Sequence, residues 1–249
     1  MTEAPQPQQP REPTSPDEEL LEAETLAIAS QLSDEARVER IGDELRSGFD
    51  ALAGVGRAVS IFGSARTPPD HPHYASARDL ARRLGEEGFA ILTGGGPGIM
   101  EAANRGARDA GVASIGLGID LPQEQEMNEW VGLPLTFHYF FTRKVMFVRY
   151  ASAFVVCPGG FGTLDELFEA ATLRQTEKIR HFPIVLYGSD YWRGLTDWLR
   201  DPVEADGMVS PDDVDLLELT DDPDHVLELV RAVEHRRPRR SGAAGGPAG

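Results

Sequence analysis

The chain has 249 residues, with 24 Lys and Arg against 41 Asp and Glu and a formal charge of −17. That balance opposes the sequence-independent grip on nucleic acid or an anionic membrane that clustered basic charge provides, and leaves a small anionic molecule as the expected partner. The single cysteine, Cys157, excludes an internal disulfide and a cysteine-based zinc cluster.

No apolar run approaches the roughly 18 residues of a membrane span, and the N-terminus lacks the apolar stretch of a secretory signal, so a cytoplasmic location is expected. Residues 1–17, rich in Pro, Gln and acids, are expected to form a disordered tail. Residues 18–53 read as accessory helices. Leu20, Leu21, Leu26 and Ile28 fall within a helix over 18–31, and Val38, Ile41, Leu45 and Phe49 recur at helical spacing within 34–52.

A domain over 54–234 follows, in which short β-rich runs alternate with helices. Strands are predicted over 58–62, 89–92, 113–117, 135–140, 153–156 and 183–187, and helices over 74–87, 98–110, 142–151 and 163–176. Runs apolar on both faces and separated by helices predict a doubly wound, Rossmann-like, mostly parallel sheet covered on both sides. Ligands in such folds bind beyond the carboxyl ends of the strands. Residues 201–225 hold ten acids and no Lys or Arg, which reads as a solvated loop before a last helix over 223–234. The tail over 235–249, with its run Arg236-Arg237-Pro238-Arg239-Arg240, is expected to be disordered.

The most informative run is Val156-Cys157-Pro158-Gly159-Gly160-Phe161-Gly162-Thr163-Leu164-Asp165-Glu166. A strand enters three glycines and passes directly into a helix, which brings free N–H groups and the positive end of the helix dipole to one place. The same spacing fits Thr163 as helix N-cap with Glu166 completing a capping box. Cys157 reads as a small buried hydrophobe. A second Gly-rich passage, Gly94-Gly95-Gly96-Pro97-Gly98, follows the second strand, and Gly63-Ser64-Ala65-Arg66 follows the first. Three such loops at one sheet edge predict a phosphate site walled by backbone donors, with Gly63, Ser64, Gly95 and Gly96 as further substrate contacts. Arg143 and Lys144, at the start of a helix, supply basic groups for an anion.

Familiar nucleotide motifs do not fit. The first loop lacks the spacing of a dinucleotide fingerprint, and the chain's lysines, Lys144 and Lys178, stand outside any Gly-Lys-Ser/Thr. The histidines show no metal spacing, and no cofactor is expected.

Gly94-Gly95-Gly96-Pro97-Gly98-Ile99-Met100, Arg143-Lys144 and Pro158-Gly159-Gly160-Phe161-Gly162-Thr163-Leu164-Asp165-Glu166 together resemble the Lonely Guy family of cytokinin riboside 5′-monophosphate phosphoribohydrolases. The resemblance spans about 57–200. It implies that Arg143 and Glu166 are the catalytic pair, and that Gly159, Gly160, Gly162 and Thr163 hold the 5′-phosphate. It further implies a homodimer or larger assembly and hydrolysis of an adenine nucleotide to free base and ribose 5-phosphate. Phe140 and Phe141 stand where many short members have Met-His before the Arg-Lys pair, and together with the added N-terminal helices this looks like the longer bacterial branch. Nucleotide nucleosidases of broader base range and a molybdenum-cofactor carrier share the loops.

Overall fold

The computed structural model describes residues 15–22, 33–120, 126–180 and 182–234. The predicted tail over 235–249, its basic run, and most of 1–17 and 23–31 lie outside the described residues. None of the described helices is long and apolar enough to cross a membrane.

Two helices come first, α1 (Pro16–Glu22) and α2 (Asp34–Leu52), so helix already begins inside the segment expected to be a tail. Ser33 caps α2, its side chain accepting from the Ala36 N–H at 3.3 Å. Then β1 (Ala58–Phe62), α3 (Pro72–Glu86), β2 (Ala90–Thr93), α4 (Ile99–Asp109) and β3 (Ser114–Ile119) alternate. They are followed by β4 (Leu133–Phe137), α5 (Phe140–Tyr150), β5 (Ala153–Val156), α6 (Phe161–Gln175) and β6 (Ile184–Tyr187). The chain closes with α7 (Ser189–Trp198), α8 (Pro211–Val214), β7 (Leu217–Thr220) and α9 (Pro223–Glu234).

The seven strands form one sheet in the order β4-β3-β2-β1-β5-β6-β7, and every pairing is parallel. The chain winds outward from β1 through β2, β3 and β4, then returns to the other side of β1 and winds outward again. This reversal makes β1 and β5 neighbours, with Phe62 paired to Val156, and opens a crevice past their carboxyl ends.

Both faces of the sheet are covered, which is why its central strands read as continuous apolar runs. Along β1, Val59 and Ile61 enter a core with Leu80, Leu84, Ile99 and Val230 of α3, α4 and α9. Ala58 and Phe62 point the other way, into a core with Leu52, Met146, Phe147 and Leu167 of α2, α5 and α6. Each such side chain taken fully out of water contributes roughly 1.5–3 kcal/mol.

The acidic stretch over 201–225 is not the expected loop: it holds α8 and the edge strand β7. In β7, Leu217 and Leu219 lean on the second core while Glu218 alternates with them. An edge strand needs only one apolar face, so the local acidity masked the period of two. The strand expected over 135–140 ends at Phe137, its last pairing being with Ile119, and Phe140 already opens α5.

Candidate active site

The three small-residue loops meet in one open cleft of about 1460 Å³ at the β1–β5 crevice. Direct backbone bonds join them. The Ser64 N–H donates to the Pro158 carbonyl at 2.9 Å, and the Ile99 N–H donates to the Ser64 carbonyl at 3.0 Å. Gly98, at φ 68°, makes the second contact possible, because a Cβ there would stand 2.4 Å from the Ser64 oxygen. Gly63, Ser64, Gly95, Gly96, Gly159, Gly160, Gly162 and Thr163 all line the cleft.

The second loop rests on a buried polar network that the sequence reading missed. The Asn128 amide donates to the carbonyls of Gly95 and Gly96, each at 2.9 Å. It also donates to Asn104 Oδ1 at 3.0 Å. Thr93 Oγ1 donates to the same Asn104 oxygen at 2.7 Å and accepts from the Gly95 N–H at 2.9 Å. A largely buried network of this kind, in which the two Asn128 amide protons are shared among three acceptors, holds a loop in place. Neither asparagine stands in a recognisable motif, so only the three-dimensional arrangement reveals them.

In the third loop, Gly159 is forced by its neighbour: a Cβ would lie 2.1 Å from Thr163 Oγ1. The Tyr191 hydroxyl, from α7, donates to the Gly159 carbonyl at 2.7 Å and fixes the loop from the other side. Tyr191 lines the cleft and was also absent from the sequence reading. Thr163 is not the N-cap. Gly160 takes that position in extended conformation, no side chain caps α6, and Thr163 is the third residue of the helix. The N–H groups of Gly160, Phe161 and Gly162 find no acceptor among the described residues. They leave open donors at the positive end of the helix dipole, an arrangement able to accept an anion.

Since the capping box does not form, Glu166 is left for other work. Its side chain is only 4% exposed, and neither carboxylate oxygen has a hydrogen-bond partner among the described residues. Arg143 Nη2 stands 3.9 Å from Glu166 Oε1, so the two residues expected to act together share the cleft wall. Burial raises the Glu166 carboxyl to about 7, against the opposing pull of Lys144 and Arg143. A buried carboxylate without donors costs free energy in a resting protein, and such groups concentrate where a ligand completes them.

The Arg143 guanidinium lies over the rings of Phe140 and Phe147, 5.1 and 5.8 Å from their centroids. Burial lowers its pKa, while Glu166 and Asp165 raise it. Lys144 does not line the cleft. Its ammonium lies 2.9 Å from Asp165 Oδ2 and 2.7 Å from Glu169 Oε2, so it clamps α5 to α6 beside the site. Cys157 is buried with its thiol pushed up to about 12, a packing group rather than a nucleophile.

Residues 100–230 match the model of a protein family described as "Possible lysine decarboxylase". A "Probable cytokinin riboside 5'-monophosphate phosphoribohydrolase" of Oryza sativa subsp. japonica is 31% identical over 160 residues, covering 62% of this chain and 63% of its own. A second such rice protein is 34% identical over 139 residues, covering 55% and 65%. The chain thus spans just under two thirds of the length of these rice relatives. A "Cytokinin riboside 5'-monophosphate phosphoribohydrolase" of Arabidopsis thaliana is 28% identical over 185 residues, covering 73% of this chain and 84% of its own. Among solved structures, the Moco carrier protein of Chlamydomonas reinhardtii is similar in fold, with a TM-score of 0.52 at 20% identity over 73% of this chain and 99% of that one. The molybdenum cofactor binding protein of Rippkaea orientalis is comparable, with a TM-score of 0.51 at 22% identity over 72% and 96%.

Proposed function

The chain belongs to the Lonely Guy family, whose model carries the lysine decarboxylase description, and from that premise we propose that it hydrolyses the N-glycosidic bond of adenine nucleoside 5′-monophosphates. The products are the free base and ribose 5-phosphate. The observation that carries this reading is the buried carboxylate of Glu166, without a hydrogen-bond partner among the described residues, 3.9 Å from Arg143 and six residues beyond the uncapped N-cap position of α6.

A 5′-phosphate on the free N–H groups of Gly160, Phe161 and Gly162 brings the ribose toward Glu166. Departure of the base builds positive charge on the sugar ring, as in other glycosyl hydrolyses. An ionised Glu166 opposes that charge and positions or deprotonates the attacking water. Arg143 fixes the substrate and assists the departing base. The chemistry calls for the ionised carboxylate, so turnover rises with pH through about 7, where Glu166 loses its proton.

The AMP and N6-isopentenyl-AMP forms of this substrate class separate the base preferences. Incubating the pure protein with each, and resolving the products by chromatography, should show free base and ribose 5-phosphate in equal amounts. Tight nucleotide binding with no base released would replace the hydrolase by a carrier of nucleotides.

A further inference from the structure

The catalytic helix α5 begins without a cap from its own segment: Tyr139 occupies the N-cap position and makes no side-chain cap bond. The first turn of any helix leaves N–H groups that need acceptors. Here the Phe140 N–H, and the two N–H groups just ahead of the helix, find their acceptors in the N-terminal helices. Glu44 of α2 takes the His138 N–H on both oxygens, at 3.1 and 3.0 Å, and the Tyr139 N–H at 3.3 Å. It also accepts from the Thr142 hydroxyl. Asp17 of α1 accepts from the Phe140 N–H at 3.1 Å.

The docking that allows this is visible in α2. Gly48 lies one turn after Glu44 on the same face, and a Cβ there would meet Met146 Cε at 2.8 Å and Phe137 Cε1 at 3.2 Å. Without that Cβ, α2 lies close enough to α5 and β4 for Glu44 to reach the turn, with its side chain only 9% exposed. Arg40, one turn before Glu44, pairs with Glu19 of α1 at 2.9 Å and stands 5.6 Å from the Tyr139 ring centroid. Both helices are thereby fastened to the same turn.

Arg143 sits in that turn, and a cation near a helix N-terminus is electrostatically disfavoured. Two carboxylates at the positive end offset the dipole, and Asp17 is among the charges that hold Arg143 protonated. We infer that Glu44 and Asp17 are positioning residues that hold the first turn of α5, and so set where the Arg143 guanidinium stands relative to Glu166. The inference rests on the reading that Arg143 acts on the nucleotide. It makes the N-terminal helices part of the active site rather than an appendage.

The test uses the full chain carrying Glu44→Gln, Asp17→Asn, Arg143→Lys and the combinations of each brace variant with Arg143→Lys. Base release from AMP is expected to fall roughly 10- to 100-fold in kcat/KM for Glu44→Gln, the scale of a misplaced catalytic group, and less for Asp17→Asn. In the Arg143→Lys background the same changes should cost almost nothing further, since they act through a residue already lost. Losses that add in full, or wild-type kcat/KM in both brace variants, overturn the inference. A readout independent of turnover is the side-chain Nε–Hε resonance of Arg143 in a nitrogen-labelled sample, assigned by its absence in Arg143→Lys. It should shift in both brace variants, and an unchanged resonance also overturns the inference. A wild-type protein that releases no base sinks the proposed reaction alone, and the resonance still decides the brace. Asp17→Asn removes one negative charge at a partly exposed position while keeping an acceptor oxygen, which keeps the test open if Glu44→Gln does not fold.

Discussion

The N-terminus of α5 receives Glu44 and Asp17 on backbone N–H groups, whereas the N-terminus of α6, across the same cleft, receives no side chain among the described residues. In α5 the Phe140 N–H, the two N–H groups just ahead of it and the Thr142 hydroxyl are bonded from within the protein, so the turn is a braced frame for Arg143. In α6 the corresponding donors keep no acceptor among the described residues, the arrangement that suits an anion. Under the proposed function, the contrast teaches that a phosphate site is made as much by withholding a cap as by placing glycines. The same contrast leaves Glu166 buried and, with no capping box to complete, without a hydrogen bond among the described residues.

The comparison can be broken most decisively at Glu166. Glu166→Gln should lower turnover by about 10²–10⁴-fold while AMP binding, followed by calorimetry, stays near wild type. Near-normal turnover would remove Glu166 from the chemistry.

The same substitution sharpens the cost of leaving α6 open. Burial raises the folded-state pKa of Glu166 to about 7 from its ordinary value of 4.5. The neutral form therefore favours folding below the unfolded value, and that contribution is lost as pH rises through the folded one. Glu166→Gln should consequently raise unfolding stability at pH 8 by an amount on the order of 1–3 kcal/mol, a gain that vanishes near pH 4. Equal stability of the two proteins at both pH values, in urea titrations, would mean the carboxylate is not desolvated.

The glycines of the third loop separate by role. A Cβ on Gly159 collides with Thr163, whereas one on Gly160 or Gly162 meets nothing within 4 Å. Gly159→Ala should cost about 1–3 kcal/mol of stability through overpacking. Gly162→Ala, inside α6, should leave Tm unchanged or higher, since Ala favours a helix by up to about 1 kcal/mol over Gly. It should nonetheless weaken AMP binding about tenfold, an equivalent of ~1.4 kcal/mol, because the open space at the helix start is the ligand's. Unaltered AMP affinity in Gly162→Ala would place the phosphate elsewhere.

The smallest effect belongs to Lys144. It is the foremost charge pulling the Glu166 pKa down, so Lys144→Met should move the rising limb of the pH–rate profile to higher pH. A limb that stays in place would show that Asp165 and Glu169 already neutralise the ammonium.

Much of the fold was legible because each central strand and its following helix carry their own signal. The runs at β1, β2, β5 and β6 are apolar on both faces, and the glycines at their ends mark the turns. Strand β7 was not legible, since Leu217 and Leu219 alternate over only four residues inside an acidic stretch. At the site, the Pro158 loop, Arg143 and Glu166 stood in local motifs. Tyr191, Asn128 and Glu44 did not, because each acts on a backbone group far away in sequence.

By itself the sequence determined the layered α/β architecture, the three small-residue loops and the residue types at the cleft, since periodicity and backbone freedom are local properties. Only the tertiary structure decided that Gly160 rather than Thr163 begins α6, that Lys144 turns away to Asp165 and Glu169, and that Glu44 reaches α5. Those outcomes depend on which donors and acceptors meet once the sheet has closed, and long-range partners leave no mark in the spacing of neighbouring residues.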